Sequence, residues 1–392
     1  MSPKLSKIAH KIPDFYVLKI DKLANQLINE GKNIIKLNLG KSEVPMSNSI
    51  ANEFSEKIYD EKNREIIDSQ GLLPLREAIV EDYKAVGDIT ITPDQVFINN
   101  GTSPFFLQLF SLLLDQEDEI LFPLPYYPPY IANAHIRGAQ ASFYSIHDGQ
   151  INFAELKKKF IPGKTKVVFL NSPGNPLGNV IKKDELREIL EFVDGRAHII
   201  SDEIYDGFVY GDTFASALSV SVPGRDSVIV LNGFSKIHHM YTRRLGYAIV
   251  PETLIGPMLK FQQHNVVCVD PVTQFAGLIS MKNKQDLIAT AIKKEVAEYK
   301  ERLDACEKLL KETKLRFIKP EGSFYVCVHV GAYISDEFPG SLALAEKLLS
   351  DVGVAVTPGE DFGRNDLFRI SLTNDKVVEG VQKMCDFFSR LG

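Results

Sequence analysis

The sequence predicts an α/β protein: a large, doubly wound, mostly parallel sheet domain joined to a smaller α+β domain. Three observations carry this expectation. Short apolar runs at 119–122, 166–170, 197–200 and 228–231 lack polar alternation, as strands covered on both faces do. Helical segments separate several of them, which is the order of a parallel sheet with crossover helices. After about Pro251 the pattern changes to long charged helical stretches followed by strand-like pieces. With 392 residues, the chain has length for both units.

In chain order, residues 19–29 read as an amphipathic helix and 34–39 as a strand. Residues 73–85 read as a helix that tolerates Pro74 in its first turn. Strand and helix then alternate: strand 95–98, helix 104–114, strand 119–122, strand 166–170, helix 183–192, strands 197–200 and 228–231. A long helix is expected over 284–312, and strands over 323–330 and 367–372. The expected division is a large domain over 46–285 and a small domain built from 1–45 with 286–392.

Composition narrows the function classes. Hydrophobic residues are 44%, charged residues 24% and the net charge is −6. A general nucleic-acid binder needs a basic patch or stripe, so no nucleic-acid partner is expected. Cys268, Cys306, Cys327 and Cys385 show no C-x-x-C spacing and read as buried free thiols of a reducing cytoplasm. Residues 1–5 carry no apolar run of a leader. No stretch reaches the ~18 apolar residues of a membrane span, so neither a membrane nor a metal partner is expected.

The chemistry centres on Lys236, in the string Leu231-Asn232-Gly233-Phe234-Ser235-Lys236 that runs from a strand into a small-residue turn. A lysine there can form an imine with an aldehyde. Arg244, eight positions on, can hold a phosphate. Pyridoxal 5'-phosphate (PLP) offers both groups. Upstream, Asn100-Gly101-Thr102-Ser103 joins a strand to a helix, a junction where backbone N–H groups and the helix dipole favour an anion. Tyr127, in a Tyr- and Pro-rich loop, can stack on a flat heterocycle. Asn175 sits in Asn171-Ser172-Pro173-Gly174-Asn175-Pro176-Leu177-Gly178, a turn stiffened by its prolines.

Asp202, in Ser201-Asp202-Glu203-Ile204-Tyr205, ends a strand and so points toward the crevice where α/β sheets bind ligands. It can pair with a protonated pyridine nitrogen; close charges at an effective dielectric near 20 attract by on the order of 4 kcal/mol. Tyr205 can reach the ring's phenolic oxygen. Arg369, inside 366–371, can grip a carboxylate through two parallel hydrogen bonds. Taken singly, each feature has a plain structural alternative: an N-cap, a reverse turn, loop packing or a surface ion pair.

Taken in this order, the strings resemble the fold-type I PLP-dependent aminotransferases of the aspartate aminotransferase superfamily (class I/II). The resemblance runs from about Ile34 to the C-terminus and includes Gly71-Leu72-Leu73-Pro74-Leu75-Arg76-Glu77 and Val356-Thr357-Pro358-Gly359. It implies that Lys236 forms the Schiff base and moves the proton, that Asp202 pairs the ring nitrogen, and that Asn175 and Tyr205 bond the ring oxygen. Tyr127 would stack on the ring. Gly101, Thr102, Ser103, Ser235 and Arg244 would hold the phosphate, and Arg369 the substrate α-carboxylate. It also implies a homodimer, an amino acid and a 2-oxo acid as substrates, and PLP as cofactor.

Some positions depart from the family. Ile66 stands where many members carry a tyrosine, Thr242-Arg243-Arg244 replaces Gly-Trp-Arg, and Gly40-Lys41-Ser42-Glu43-Val44-Pro45 replaces a Gly-x-Gly-Glu-Pro-Asp string. His238 and His239 follow the lysine where small or apolar residues are usual. Pro13-Asp14-Phe15-Tyr16 carries an acid where a bacterial aspartate branch has a neutral polar group, and Ser103 stands where that branch has a lysine. Charge then disfavours an acidic substrate side chain and favours a neutral or cationic, arginine-like one. Asp14 and Ser42 are the further candidate substrate residues; for Asp14 the alternative is a helix cap. A non-transaminating enzyme of the same fold (deaminase, oxidase, cyclase or lyase) is the second expectation. A PLP-responsive regulator would need a DNA-binding module ahead of the fold. Gly163-Lys164-Thr165 is no P-loop end, because Lys158 occupies its first glycine position.

Overall fold

The computed structural model describes residues 4–42, 44–61, 65–211 and 214–391. The first residues of the segment read for a leader (Met1, Ser2 and Pro3), and Glu43 of the 40–45 string, lie outside them.

The N-terminal helix Tyr16–Asn29 buries Val17, Ile20, Ala24 and Leu27, a spacing that makes one apolar stripe. Strand β1 (Ile35–Lys36) follows and is shorter than the sequence suggested. The large sheet is built from β2 (Val96–Asn99), β3 (Glu119–Leu124), β4 (Gln140–His147), β5 (Gln150–Ile151), β6 (Thr165–Asn171), β7 (His198–Asp202), β8 (Ser227–Gly233) and β9 (Gly246–Ile249), in the order β2-β9-β8-β7-β6-β3-β4-β5. Strands β8, β7, β6, β3 and β4 run parallel. Their central members are buried on both faces, which explains the unbroken apolar runs.

Among the strands that went unread in the sequence are β4 and β9. β4 mixes Gln, Ser and His into a partly exposed strand near the sheet's edge, so no apolar run marks it. β9 is antiparallel to both β8 and β2. It can lie there because Gly246 has no Cβ: one would come within 2.5 Å of the Gly101 carbonyl carbon and 2.7 Å of the Thr102 nitrogen. That close approach brings the 101–103 turn against β9, which pairs with β8, the strand that leads to Lys236.

The C-terminal part holds β10 (Arg316–Ile318), β11 (Tyr325–His329), β13 (Thr357–Pro358) and β14 (Leu367–Ser371) in an antiparallel sheet, ordered β10-β11-β14-β13. β12 (Val354–Ala355) pairs in parallel with β1. Ile20, Leu27, Ile35 and Leu37 share one apolar cluster with Leu344, Leu348, Val381 and Phe388, so the N-terminal segment packs on the C-terminal part. The long helix expected over 284–312 is interrupted: a π-helical turn Ile288–Ile292 separates Lys284–Leu287 from Lys293–Lys311. Cys306, Cys327 and Cys385 are buried free thiols and Cys268 is half-buried. Among the described residues no helix is long and apolar enough to cross a membrane.

Candidate active site

The C-terminal ends of β6, β7 and β8 open into a cleft of about 440 Å³. The register explains the convergence, because Asn171, Asp202 and Leu231 are level across the three parallel strands. Polar residues that follow these ends therefore meet in one place.

Lys236 stands on the turn after β8. Its Nζ donates to the Gly40 carbonyl at 2.9 Å and lies 5.1–5.2 Å from the ring centroids of Tyr205, Tyr241 and Phe324. Burial pushes its amine below the ordinary lysine range; Arg369 and Arg244 add to this, while Tyr325 and Asp202 oppose it. A depressed lysine is a better nucleophile near neutral pH.

Asp202 ends β7 and is buried. Its Oδ2 accepts from the Tyr130 hydroxyl at 2.7 Å and its Oδ1 from the Ile204 N–H at 3.2 Å. Burial raises its carboxyl to about 6, against the pull of Tyr130, Ile204 and Lys236. Tyr127, which lines the same cleft, meets Tyr130 edge-to-face with centroids 5.4 Å apart.

Gly101, Thr102 and Ser103 stand at the start of the helix Ser103–Leu113, where the N-cap Thr102 side chain makes no capping bond. Arg244 faces this turn: a Cβ on Gly101 would lie 2.7 Å from Arg244 Nη2. Arg244 Nη1 donates to Ser235 Oγ at 3.2 Å and to the Tyr241 carbonyl at 3.1 Å. An uncapped helix start beside a guanidinium and hydroxyls has the chemistry of a phosphate cradle.

Across the cleft, Arg369 is buried on β14. Nη1 donates to Asn175 Oδ1 at 2.9 Å, and Nη2 donates to the Asn38 carbonyl at 2.7 Å and to Thr357 Oγ1 at 3.1 Å. Its Nε is buried without a partner. The guanidinium lies 4.1 Å from the Tyr325 ring centroid and 5.0 Å from that of Phe362. Asn175 is aimed by its own N–H, which donates to Asn171 Oδ1 at 2.7 Å.

Tyr205 donates its hydroxyl to the Tyr325 hydroxyl at 3.3 Å. Burial pushes the Tyr205 phenol well up. Burial also pushes Tyr325 up, but the Lys236 and Arg369 cations and the Tyr205 hydrogen bond overcome it, so Tyr325 is the more acidic of the two.

The structure thus brings Thr102, Ser103, Tyr127, Asn175, Asp202, Tyr205, Ser235, Lys236, Arg244 and Arg369 to one cleft. Asp14 and Ser42 do not line it. Asp14 is exposed, and it does not cap the helix that follows. That helix is capped by Asp361, whose Oδ1 and Oδ2 accept from the N–H groups of Tyr16 and Val17, each at 2.7 Å. Ser42 gives its hydroxyl to Glu295 Oε2 at 2.8 Å instead. His238 is buried, with Nδ1 2.7 Å from Ser280 Oγ, and burial pushes it well below the ordinary histidine range. It is a neutral structural group. Ile66 is 77% exposed.

Sequence reasoning missed Tyr130, Tyr325, Asn38, Thr357 and Asp361. Tyr130 had a signal: it belongs to the same Tyr- and Pro-rich string as Tyr127. The others sit in strings whose apolar or turn character hid them.

A cleft at the carboxyl ends of parallel strands, with a half-buried lysine, a buried carboxylate and an anion cradle, defines a PLP-dependent transferase of fold type I. The family model "Aminotransferase class I and II" matches residues 32–384, and the chain belongs to that family. It is 30% identical to an aspartate aminotransferase of Thermotoga maritima, over 98% of this chain and 99% of that protein. It is 32% identical to the (5-formylfuran-3-yl)methyl phosphate transaminase of Methanocaldococcus jannaschii, over 98% of this chain and 100% of the relative. The crystal structure of a T. maritima aspartate aminotransferase superposes with a TM-score of 0.87 at 29% identity, covering 98% of this chain and 100% of that one.

Proposed function

We propose that this protein moves the amino group of an α-amino acid with a non-acidic side chain, neutral or cationic, to a 2-oxo acid. One observation carries the side-chain choice. Among the described residues lining the cleft, the cations are Lys236, Arg244 and Arg369, and each has a task in the reading below. None remains for a distal carboxylate. Phe15, Leu18, Leu39 and Phe362 supply apolar wall, and Asp361 is the acid beside them.

The residues fit PLP. The uncapped 101–103 turn with Ser235 and Arg244 would hold its phosphate, Asp202 its ring nitrogen, Asn175 and Tyr205 its ring oxygen, and Tyr127 its face. When bound, the cofactor supplies an imine-forming aldehyde and an electron sink. Everything else falls to the chain. Arg369 binds the substrate carboxylate and so orients the Cα–H bond for removal. Lys236, depressed by burial, holds and returns the proton at Cα. Asp202, as a carboxylate, stabilises positive charge at the ring nitrogen site in a region of low dielectric. Tyr325 sets Tyr205 by accepting its hydroxyl.

The reading extends to a homodimer. Ile58, Tyr59, Ile66 and Leu73 are 47–82% exposed, apolar side chains that a second copy would cover; light scattering checks the mass. The functional test is a screen of arginine, ornithine, phenylalanine and aspartate with several 2-oxo acids, with products read by mass spectrometry. A new amino acid formed from the 2-oxo acid, with aspartate the poorest donor, is the expected result. Preference for aspartate overturns the side-chain choice. Ammonia release without amino transfer overturns transamination in favour of a deaminating or oxidising enzyme.

A further inference from the structure

Residues 38–42 form a strap across the cleft that is tied at alternate positions. The Asn38 carbonyl accepts from Arg369 at 2.7 Å, the Gly40 carbonyl from Lys236 at 2.9 Å, and the Ser42 hydroxyl donates to Glu295 at 2.8 Å. The first two ties reach residues that already have a task. The third leads away from the cleft, to a buried acid with three partners.

Glu295 lies on the helix Lys293–Lys311 and its side chain is 4% exposed. It accepts from Ser42, from Tyr299 at 2.7 Å, and pairs with His239 Nε2. His239 stands three residues after Lys236. Its backbone N–H donates to the Lys236 carbonyl at 3.1 Å, and its φ of +53° is a left-handed conformation that costs a non-glycine residue energy. The same helix supports the other side of the lysine, because the Tyr299 ring lies 6.0 Å from that of Phe324, which Lys236 overlies. The strap cannot slide inward, because Gly40 is already against the Tyr325 hydroxyl, where a Cβ would overlap it.

We propose that Glu295 and His239 are positioning residues for Lys236: through Ser42 they clamp the strap to the lysine turn, so that the Gly40 carbonyl stays in place as the acceptor of the lysine amine. Ser42, Glu295 and His239 do not line the cleft. The clamp rests on the reading of Lys236 as the reactive amine. Its task is to give the amine one fixed resting place, both before it joins an aldehyde and after it is released during turnover. Other groups that face the amine are Tyr325, Arg369, Arg244, Asp202, Tyr205 and Tyr241. None of them is part of the clamp, so loosening the clamp leaves them in position.

The test uses the full chain stripped of cofactor. Pyridoxal 5'-phosphate is added, and imine formation, in which the amine adds to the aldehyde carbon and water leaves, is followed by absorbance across pH. Parent, Ser42→Ala, Glu295→Gln and His239→Asn are compared; asparagine is chosen because it tolerates a left-handed backbone. An ammonium that loses its carbonyl acceptor is a stronger acid, so the midpoint of each variant moves to lower pH by about half a unit to one unit. The rate at neutral pH then rises about three- to tenfold. In the reloaded enzyme kcat falls about tenfold with KM nearly unchanged, the pattern of a lost transition-state alignment. A purely structural cluster would lower the melting temperature and leave the midpoint where it was; that result overturns the clamp. Should Glu295→Gln fail to fold, Ser42→Ala alone decides, since it removes one tie at the edge of the cluster. Imine formation that persists in Lys236→Ala overturns the functional reading and the clamp with it, whereas Lys236-dependent imine with unmoved midpoints overturns the clamp alone.

Discussion

Tyr130 donates a 2.7 Å hydrogen bond to Asp202, joining the helix Pro128–Arg137 to the end of β7. The bond holds down a carboxyl that burial has raised to about 6. Without it, Asp202 is harder to ionise. Tyr130→Phe is expected to move the Asp202 midpoint upward and to weaken cofactor affinity about tenfold, the worth of one charge-assisted hydrogen bond. The loss is largest just above pH 6, between the two midpoints, where more of the variant's carboxyl than of the parent's is protonated. Fluorescence titration of cofactor binding against pH checks both the size and the sign.

Asn175, Asn38 and Thr357 hold the two terminal nitrogens of Arg369, which fixes the plane of the guanidinium proposed to meet a carboxylate. Lysine has the charge but not the fork. Arg369→Lys is expected to lower kcat/KM about 100-fold, chiefly through KM, since the lost contact is made in the ground state as well. Steady-state kinetics with the preferred donor decides it.

Lys236→Ala removes the amine that, in the proposed function, bonds the cofactor and moves the proton. Turnover is expected to fall by about 10⁴-fold. Borohydride treatment of the loaded protein should leave no label on the peptide that contains position 236. Mass spectrometry of the digest reads this directly.

Glu203 offers a stability test next to the site. It is buried, its Oε1 accepts from Ser201 Oγ and from the Ala217 N–H, each at 2.9 Å, and its Oε2 has no partner among the described residues. Burial raises its carboxyl to about 8, against the pull of Ala217, Ser216 and Ser201. The folded chain therefore holds a proton that the unfolded chain releases above about pH 4.5. The contribution of this group is fully present below that value and is lost as pH rises toward 8. Glu203→Gln keeps a neutral group at all pH values. Its stability relative to the parent should grow with pH across that window, by up to about 1.4 kcal/mol per unit, and level off above it. Urea unfolding of cofactor-free protein at several pH values measures the slope.

Much of the site was legible because it sits on chain segments that speak for themselves. Lys236, Asp202 and Asn175 each follow an apolar run at a strand's end, and parallel strands deliver such residues to one crevice. Asp14 and Ser42 had the right chemical type but not the right place. Asp14 belongs to the start of a helix whose N–H groups are already taken by Asp361, 345 positions from Tyr16. Ser42 is drawn to Glu295 across 253 positions. No local pattern signals a partner at that distance.

The sequence by itself determined the α/β class, most of the central strands, and the order of the strings that meet at the cleft, because hydrophobic periodicity and turn chemistry are local properties. Only the tertiary structure decided that Tyr130 serves Asp202, that Tyr205 and Tyr325 share a hydrogen bond between two cations, and that Asp361 rather than Asp14 lies in the cleft. The last two depend on which faces meet when the N-terminal helix and the C-terminal sheet close over the strand ends. That closure is set by burial of apolar surface shared across the whole chain.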